Sequence, residues 1–362
     1  STIRSVRYYH GRQIMVMKAP LKVALVGCGL IGQWHHIPAL LKIRDAKLVA
    51  ICDKNEDLVK VAARAFNISR YYTDFSEMLG REKLDMVDIC IPPQTHSAFS
   101  IQAMEAGCHV LVEKPVALSL KEADEMASAA KQNNVKLCTV HNKLFEPVMM
   151  KAHAMVSTGS IGDVVGIDIQ VLHSQGKADL ILMNREHWCH SLPAGIFTQT
   201  LPHPIYLATA FLGQLEPIGT YTGRSCSYNW VAADEIRIVM KARKGMGTIS
   251  YSCNSAQSKT IIDIHGTKKH LRIDLLNSVI TKYGGGTETR HSRALENIGQ
   301  SFSILARTIS TMLSIISGRF HNGHHTLIQR FIESIQNNTE PPITIEETRE
   351  VAKVLDEITA QI

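Results

Sequence analysis

The sequence predicts two α/β domains in tandem, the first built on a parallel sheet and the second on a large, mostly antiparallel one. Three observations predict this. Over roughly the first 140 residues, apolar strand-like runs alternate with helix-period stretches about every 20 to 30 residues, the pattern of βαβ units. Beyond Asn142, several β-rich runs follow one another without helices between them, which implies antiparallel or mixed pairing. A chain of 362 residues also suits about two domains.

Residues 1–18 read as a basic arm with little periodicity. The first domain then spans 19–142. Its strands are expected at Lys22–Val26, Lys47–Cys52, Met86–Ile91, His109–Val112 and Val135–Val140, and its helices at Gln33–Lys42, Glu56–Phe66, His96–Ala106 and Leu120–Lys131. The second domain, 143–362, opens with a helix at Pro147–Ser157. Strands follow at Val164–Leu172, Glu235–Lys241, Gly247–Ser252 and Thr260–His265. Leu295–Ile316 is a long helical stretch, apolar but interrupted by Arg307, and reads as a core helix or subunit contact in preference to a membrane contact. A last helix covers Thr344–Ile358, with Thr344 as N-cap and Glu347 at capping-box spacing.

Hydrophobic residues make up 45% and charged residues 20%, an ordinary globular balance. The eight cysteines are scattered singly, without a CxxC pair, which argues for a reducing, cytoplasmic setting and against a disulfide framework or zinc site. No apolar run reaches membrane-spanning length. The net charge of +6 is spread out, without the dense basic stripe of a nucleic-acid binder. His321, His324 and His325 lack an acidic or thiol complement at tight spacing, so no metal is expected.

Gly27-Cys28-Gly29-Leu30-Ile31-Gly32 is a GxGxxG motif that follows the first strand and opens a helix, the context in which it binds a dinucleotide. Gly27 makes the tight turn, Gly29 admits the pyrophosphate to the backbone, and Gly32 lets helix and strand pack closely. The helix N-terminus offers unpaired donors to the phosphates. Asp53 ends the second strand, where a carboxylate accepts from the ribose hydroxyls and repels a 2′-phosphate. NAD is therefore expected, with NADP as the alternative because Lys54 softens the preference. The first domain is a Rossmann domain.

Two further segments, Ile91-Pro92-Pro93-Gln94-Thr95-His96 and Ala106-Gly107-Cys108-His109-Val110-Leu111-Val112-Glu113-Lys114-Pro115, resemble the paired motifs of the glucose–fructose oxidoreductase/inositol dehydrogenase/MocA family. The resemblance runs from about residue 20 to 362 and includes Asn142-Lys143-Leu144-Phe145-Glu146-Pro147. It implies that Lys114 lies beside nicotinamide and substrate, and that the bond to Pro115 is often cis. It also implies that Pro92, His96 and Glu113 belong to the cofactor site, and that Asn142 and Lys143 belong to the substrate site. An ammonium group there can polarise an oxygen that becomes a carbonyl and take part in proton transfer. A plain helix-start role satisfied by backbone stands beside the cofactor role for His96.

In many members an Asp precedes an acid/base His by four residues. Here His203 stands in that place and Gln199 replaces the Asp. The glutamine can orient an imidazole but adds no charge. Leu144 stands where relatives often carry Arg. Arg185, Trp188 and His190, in a loop dense in charge and aromatic groups, are candidate substrate contacts, and a solvated loop is the even alternative. The resemblance implies an NAD(P)-dependent dehydrogenase acting on a secondary alcohol or ketone of a sugar, polyol or nucleotide-sugar, with Lys114 and His203 handling the proton. It further implies a homodimer or homotetramer formed through the open face of the second sheet. An NAD-assisted glycosidase or lyase and a dinucleotide-binding sensor are the rival readings.

Overall fold

A computed structural model describes residues 18–174, 176, 181–284, 289–318 and 321–362. Residues 1–17, most of the expected basic arm, lie outside the described residues. The chain divides into two compact units, and the division is not linear. The first unit holds the residues up to Glu113, Asp124–Val140 and His324–Ile345. The second holds Lys114–Ala123, His141–Gly323 and Glu346–Ile362. Periodicity shows that a segment is helical but not which core receives it.

The first unit is built on strands β1 (Leu21–Val26), β2 (Ala46–Cys52), β3 (Tyr71–Tyr72), β4 (Met86–Ile89), β5 (His109–Val112) and β6 (Leu137–Thr139). They form a parallel sheet in the order β3-β2-β1-β4-β5-β6. The order reverses between β1 and β4, the switch point at whose carboxyl ends such sheets bind ligands. Val23, Leu25, Val87, Ile89, Val110 and Val112 are all but fully buried. Burial on both faces explains runs that are apolar throughout and not alternating. The stretch after β1 is π-helical at Gly32–His36 before α1 (Ile37–Lys42). Helices α2 (Glu56–Ala65) and α3 (Phe75–Arg81) begin on side-chain caps, Asn55 and Asp74 accepting from Leu58 N–H and Glu77 N–H. Strand β3 and helix α3 are too short to show a period and escape the sequence reading. α4 (His96–Glu105) and α5 (Leu120–Gln132) follow.

The second unit begins with α6 (Pro147–Ser157), β7 (Val164–Ser174), α7 (Ile196–Thr200) and α8 (Pro202–Leu212). Strands β8 (Leu215–Gly223), β9 (Glu235–Ala242), β10 (Gly245–Ser255), β11 (Lys259–Gly266), β12 (His270–Asp274) and β13 (Val279–Tyr283) complete a sheet in the order β13-β12-β11-β7-β10-β9-β8. Every pairing in it is antiparallel except β10 with β7. Strand β9 alternates, with Ile236, Ile238, Met240 and Ala242 turned into the core. That core also takes Val148 of α6, Ile205 and Tyr206 of α8, and Val354 of the last helix. Helices α9 (Arg290–Ile316), α10 (Gly323–Asn337) and α11 (Ile345–Thr359) end the chain. The expectation of a core helix at Leu295–Ile316 is corrected here: no residue of α9 is buried.

Candidate active site

The cofactor cradle follows from local sterics. Gly27 has a φ of +99°, and a Cβ on it would stand 2.5 Å from the Cys90 carbonyl oxygen. A Cβ on Gly32 would stand 2.3 Å from the Gly27 carbonyl oxygen. Gly29 has open space in front of it, where a ligand can approach the backbone. Leu30 and Ile31 are exposed beside it. The residues present therefore fit a dinucleotide pyrophosphate.

Asp53 is anchored before any ribose arrives. Its Oδ2 accepts from Cys28 N–H at 2.8 Å and its Oδ1 from Asn55 N–H at 2.9 Å. The carboxylate thus braces the glycine turn, and Lys54 beside it is exposed. Pro92 is exposed, whereas His96 is fully buried with Nε2 2.8 Å from the Ile91 carbonyl. That bond ties His96 to the 91–96 turn.

Under the cradle lies a buried charged cluster that sequence reasoning missed. His36 is fully buried between two carboxylates, Nδ1 2.8 Å from Asp88 Oδ2 and Nε2 3.1 Å from Glu113 Oε1. An imidazole facing a carboxylate at both nitrogens is held as the cation. Burial works against the charge, but Asp88 outweighs it and carries the His36 pKa well above the usual histidine range. Burial alone would raise the Glu113 carboxyl; His324 and His36 hold it well below the usual carboxylate range. His324 Nε2 lies 3.7 Å from Glu113 Oε1, and its ring stacks on His35 at 4.4 Å. Burial pushes His324 down to about 4, so it is neutral at physiological pH. His36, Glu113 and His324 present ligand atoms within 4.8 Å of one another. The only local sign of this cluster was the His35-His36 pair after the glycine motif.

His324 makes a signed pH prediction. Unfolded, it takes up a proton near pH 6.5; folded, it does so only near pH 4. Between those values the unfolded state binds more protons, so stability falls as the pH is lowered through that window. The melting temperature should drop from pH 6.5 to 4 in wild type, with a shallower drop in His324→Gln. Equal slopes in the two proteins would refute the assignment.

The second unit gathers the residues expected to do chemistry. Lys114 lies two residues past β5 and its bond to Pro115 is cis. Its Nζ donates to the main-chain carbonyl of Gln199 at 3.1 Å. Tyr206 Oη is the hub of the neighbouring cluster: it lies 2.8 Å from His203 Nδ1, accepts from Lys143 N–H at 3.1 Å and donates to Asn142 Oδ1 at 3.3 Å. His141 stacks on the Tyr206 ring at 4.4 Å. When His203 becomes a cation, its Nδ1–H donates to Tyr206 and the phenol proton points to Asn142, so charge forms without an orphaned donor. His203 itself is half-buried. Gln199 Oε1 is buried without a hydrogen-bond partner among the described residues, and the Tyr206 phenol lies 2.8 Å from His203 Nδ1. Tyr206 lies one helical turn beyond His203, a spacing that could have found it.

The loop candidates are placed separately. Arg185 is exposed, Trp188 is half-buried, and His190 Nε2 lies 3.1 Å from the Ile181 carbonyl.

A doubly wound parallel sheet with a dinucleotide cradle, joined to a second sheet domain bearing a lysine and an oriented histidine, defines a two-domain nicotinamide-dependent oxidoreductase. The chain belongs to the Gfo/Idh/MocA oxidoreductase family. Residues 21–141 match its NAD-binding Rossmann domain and residues 153–362 its C-terminal alpha/beta domain. It is 26% identical to Oxidoreductase P35 of Formosa agariphila over 82% of this chain and 92% of that one. It is 24% identical to the NAD(+)-dependent scyllo-inositol 2-dehydrogenase of Bacillus subtilis, over 91% of this chain and 90% of that one. Its fold is similar to that of the WlbA dehydrogenase of Bordetella pertussis, solved with NADH and UDP-GlcNAcA, with a TM-score of 0.77 and 21% identity over 96% of both chains. Among the described residues no helix is long and apolar enough to cross a membrane.

Proposed function

We propose that this oxidoreductase reversibly oxidises a secondary alcohol of a sugar, polyol or nucleotide-sugar, with His203 and Lys114 handling the hydroxyl proton. The observation that carries this reading is the oriented His203, braced through Tyr206 and Asn142 in the same unit in which Gln199 fixes the Lys114 ammonium. Bound nicotinamide supplies the hydride acceptor at C4. His203 takes the hydroxyl proton as the carbinol carbon gives up its hydride, and Tyr206 stabilises the resulting imidazolium. Lys114 polarises the oxygen that becomes the carbonyl. The names of the inositol dehydrogenase and of the nucleotide-sugar complex support the substrate class. Asn142, Lys143, Arg185, Trp188 and His190 remain the proposed substrate contacts, and Gly27, Gly29, Gly32, Asp53 and Glu113 the proposed cofactor residues. Incubation with NAD and a panel of polyols, sugars and nucleotide-sugars, read at the NADH absorbance band, should show reduction with at least one class. Tightly retained NAD with product formed but no net reduction would favour the transient-oxidation lyase or glycosidase instead.

Two expected outcomes probe the halves of this reading. Asp53→Ala should weaken NADH binding by about 1–3 kcal/mol, since both a ribose acceptor and the Cys28 brace are lost. Tighter binding of NADPH than NADH to wild type, in a fluorescence titration, would overturn the stated preference. For the acid/base group, His203→Asn should lower kcat/KM and flatten the acidic limb of its pH profile. Tyr206→Phe should move that limb to lower pH, because the cation loses its acceptor. Gln199→Asp should move it to higher pH if the carboxylate reaches the ring. Unchanged profiles in all three variants would make His203 structural and turn attention to His190.

A further inference from the structure

Helix α9 is amphipathic in the reverse of the usual sense. Glu296, Gln300, Ser303 and Arg307 are its half-buried side, and with Met155, Ile280, Thr281 and Lys282 they line one shallow cleft against the sheet edge. Glu296 accepts from Gly284 N–H at 2.9 Å and Gln300 donates to the Lys282 carbonyl at 3.1 Å. The opposite side carries Leu295, Ile298, Phe302, Leu305, Ile309, Met312 and Ile316, each between 49% and 78% exposed. Ile304, Leu313 and Ile315 are exposed as well, and a helix that seats its polar side on its own domain while turning these large apolar side chains outward is built for something outside the domain.

The spacing says what that something is. The seven residues follow one another at intervals of three, four, three, four, three and four, an unbroken heptad seam over three repeats. A period of 3.5 is the demand of another helix wound alongside. The positions flanking the seam are Ala294, Gly299, Ser301, Ala306, Thr308, Leu313 and Ile315, none of them charged. The small flanks of the first two repeats let helix backbones approach closely, the large apolar ones of the last repeat widen the contact, and nothing there repels an identical helix. A different partner would ordinarily be selected by flanking charges, which are missing here. The open face of the sheet, by contrast, is polar: Asp168, Gln170, Thr248, Ser250, Asp263 and Arg272 lie together on it. We infer that α9 pairs with α9 of a second copy of this chain in a two-helix coiled coil, an association separate from any made by the sheet face.

The test is the solution mass of the full chain, measured by light scattering after gel filtration. Phe302→Glu with Ile309→Glu should halve the wild-type mass, and Phe302→Lys with Ile309→Lys should do the same. Mixing the two variants in equal amounts should restore the wild-type mass, because opposite charges then face each other across the seam. NADH binding, followed alongside, should match wild type, since neither side chain is buried in the single chain. An unchanged mass in both variants, or no recovery on mixing, overturns the pairing. So does a wild type that already has the variants' mass and co-sediments with phosphatidylcholine/phosphatidylglycerol vesicles only when the seam is intact; the seam's occupant would then be lipid.

Discussion

Lys114→Ala is expected to lower turnover by about two to four orders of magnitude while leaving the fold and NADH binding nearly intact, the loss typical of a positioned proton-transfer group. The position supports the size of the effect. Lys114 is half-buried, its ammonium held on the Gln199 carbonyl at 3.1 Å, so its head group is fixed in place and not free in solvent. Alanine removes one hydrogen bond to a carbonyl that half-exposed surroundings can rehydrate, so little stability is lost. Lys114→Arg should recover little, since a planar guanidinium holds its proton more firmly and projects further. The check is single-turnover kinetics with the best substrate from the panel, with NADH affinity measured separately. If the alanine variant keeps more than a third of the wild-type rate in a chemistry-limited assay, Lys114 is not the proton-handling group.

The second large effect concerns stability. Asp88→Ala is expected to cost about 3–5 kcal/mol, the scale of removing one partner from a buried ion pair. Asp88 and His36 are both fully buried, 2.8 Å apart, and the carboxylate is what keeps the imidazole charged against its own burial. Alanine leaves His36 with the Glu113 carboxylate and the Cys90 thiol. His36 then either stays a cation with half its carboxylate compensation or gives up its Nδ1 proton, keeping the Nε2–H on Glu113 but losing the charge that offsets that buried carboxylate. Both are costly in a medium where water cannot substitute. Denaturant unfolding of the holoenzyme and of the apo chain should show the same loss. A change under 1 kcal/mol would mean that the cluster is solvated enough to do without Asp88. The double variant His36→Leu with Asp88→Leu should lose less than Asp88→Ala, because removing both partners leaves one fewer uncompensated charge.

Much of this molecule was legible from local pattern. The parallel sheet followed from apolar runs alternating with helix-period stretches, since strands buried on both faces cannot alternate. The cradle followed from three glycines, each answering a steric demand made within a few residues: Gly27 and Gly32 have no room for a Cβ, and Gly29 leaves space for a ligand. Lys114 and His203 came from the resemblance of their segments to those of a known family. The heptad spacing of α9 was also present in the sequence. It reads as core helix or subunit contact because pattern shows that a helix has an apolar face but not which way that face is turned.

Other features waited on the tertiary structure because their parts are far apart in the chain. Asp88 and Glu113 stand 52 and 77 positions from His36, and only the return of His324 to the first unit completes the cluster. Residue type alone marks each of these as an ordinary surface group, and only burial turns them into mutually dependent charges. The partner of His203 was decided the same way: Gln199 precedes it by four positions, but α7 ends at Thr200 and α8 begins at Pro202. Leu201 between them keeps αR angles, so spacing along the chain does not separate Gln199 from Tyr206 as partners, and it is the Tyr206 phenol that lies 2.8 Å from the imidazole. Sequence by itself therefore determined the class of chemistry, because the dinucleotide cradle depends on short-range backbone geometry, and it nominated Lys114 and His203 as the groups proposed to handle the proton. Which groups orient, charge and bury one another was decided by the tertiary structure, because Coulomb and desolvation energies depend on distance in space and not along the chain.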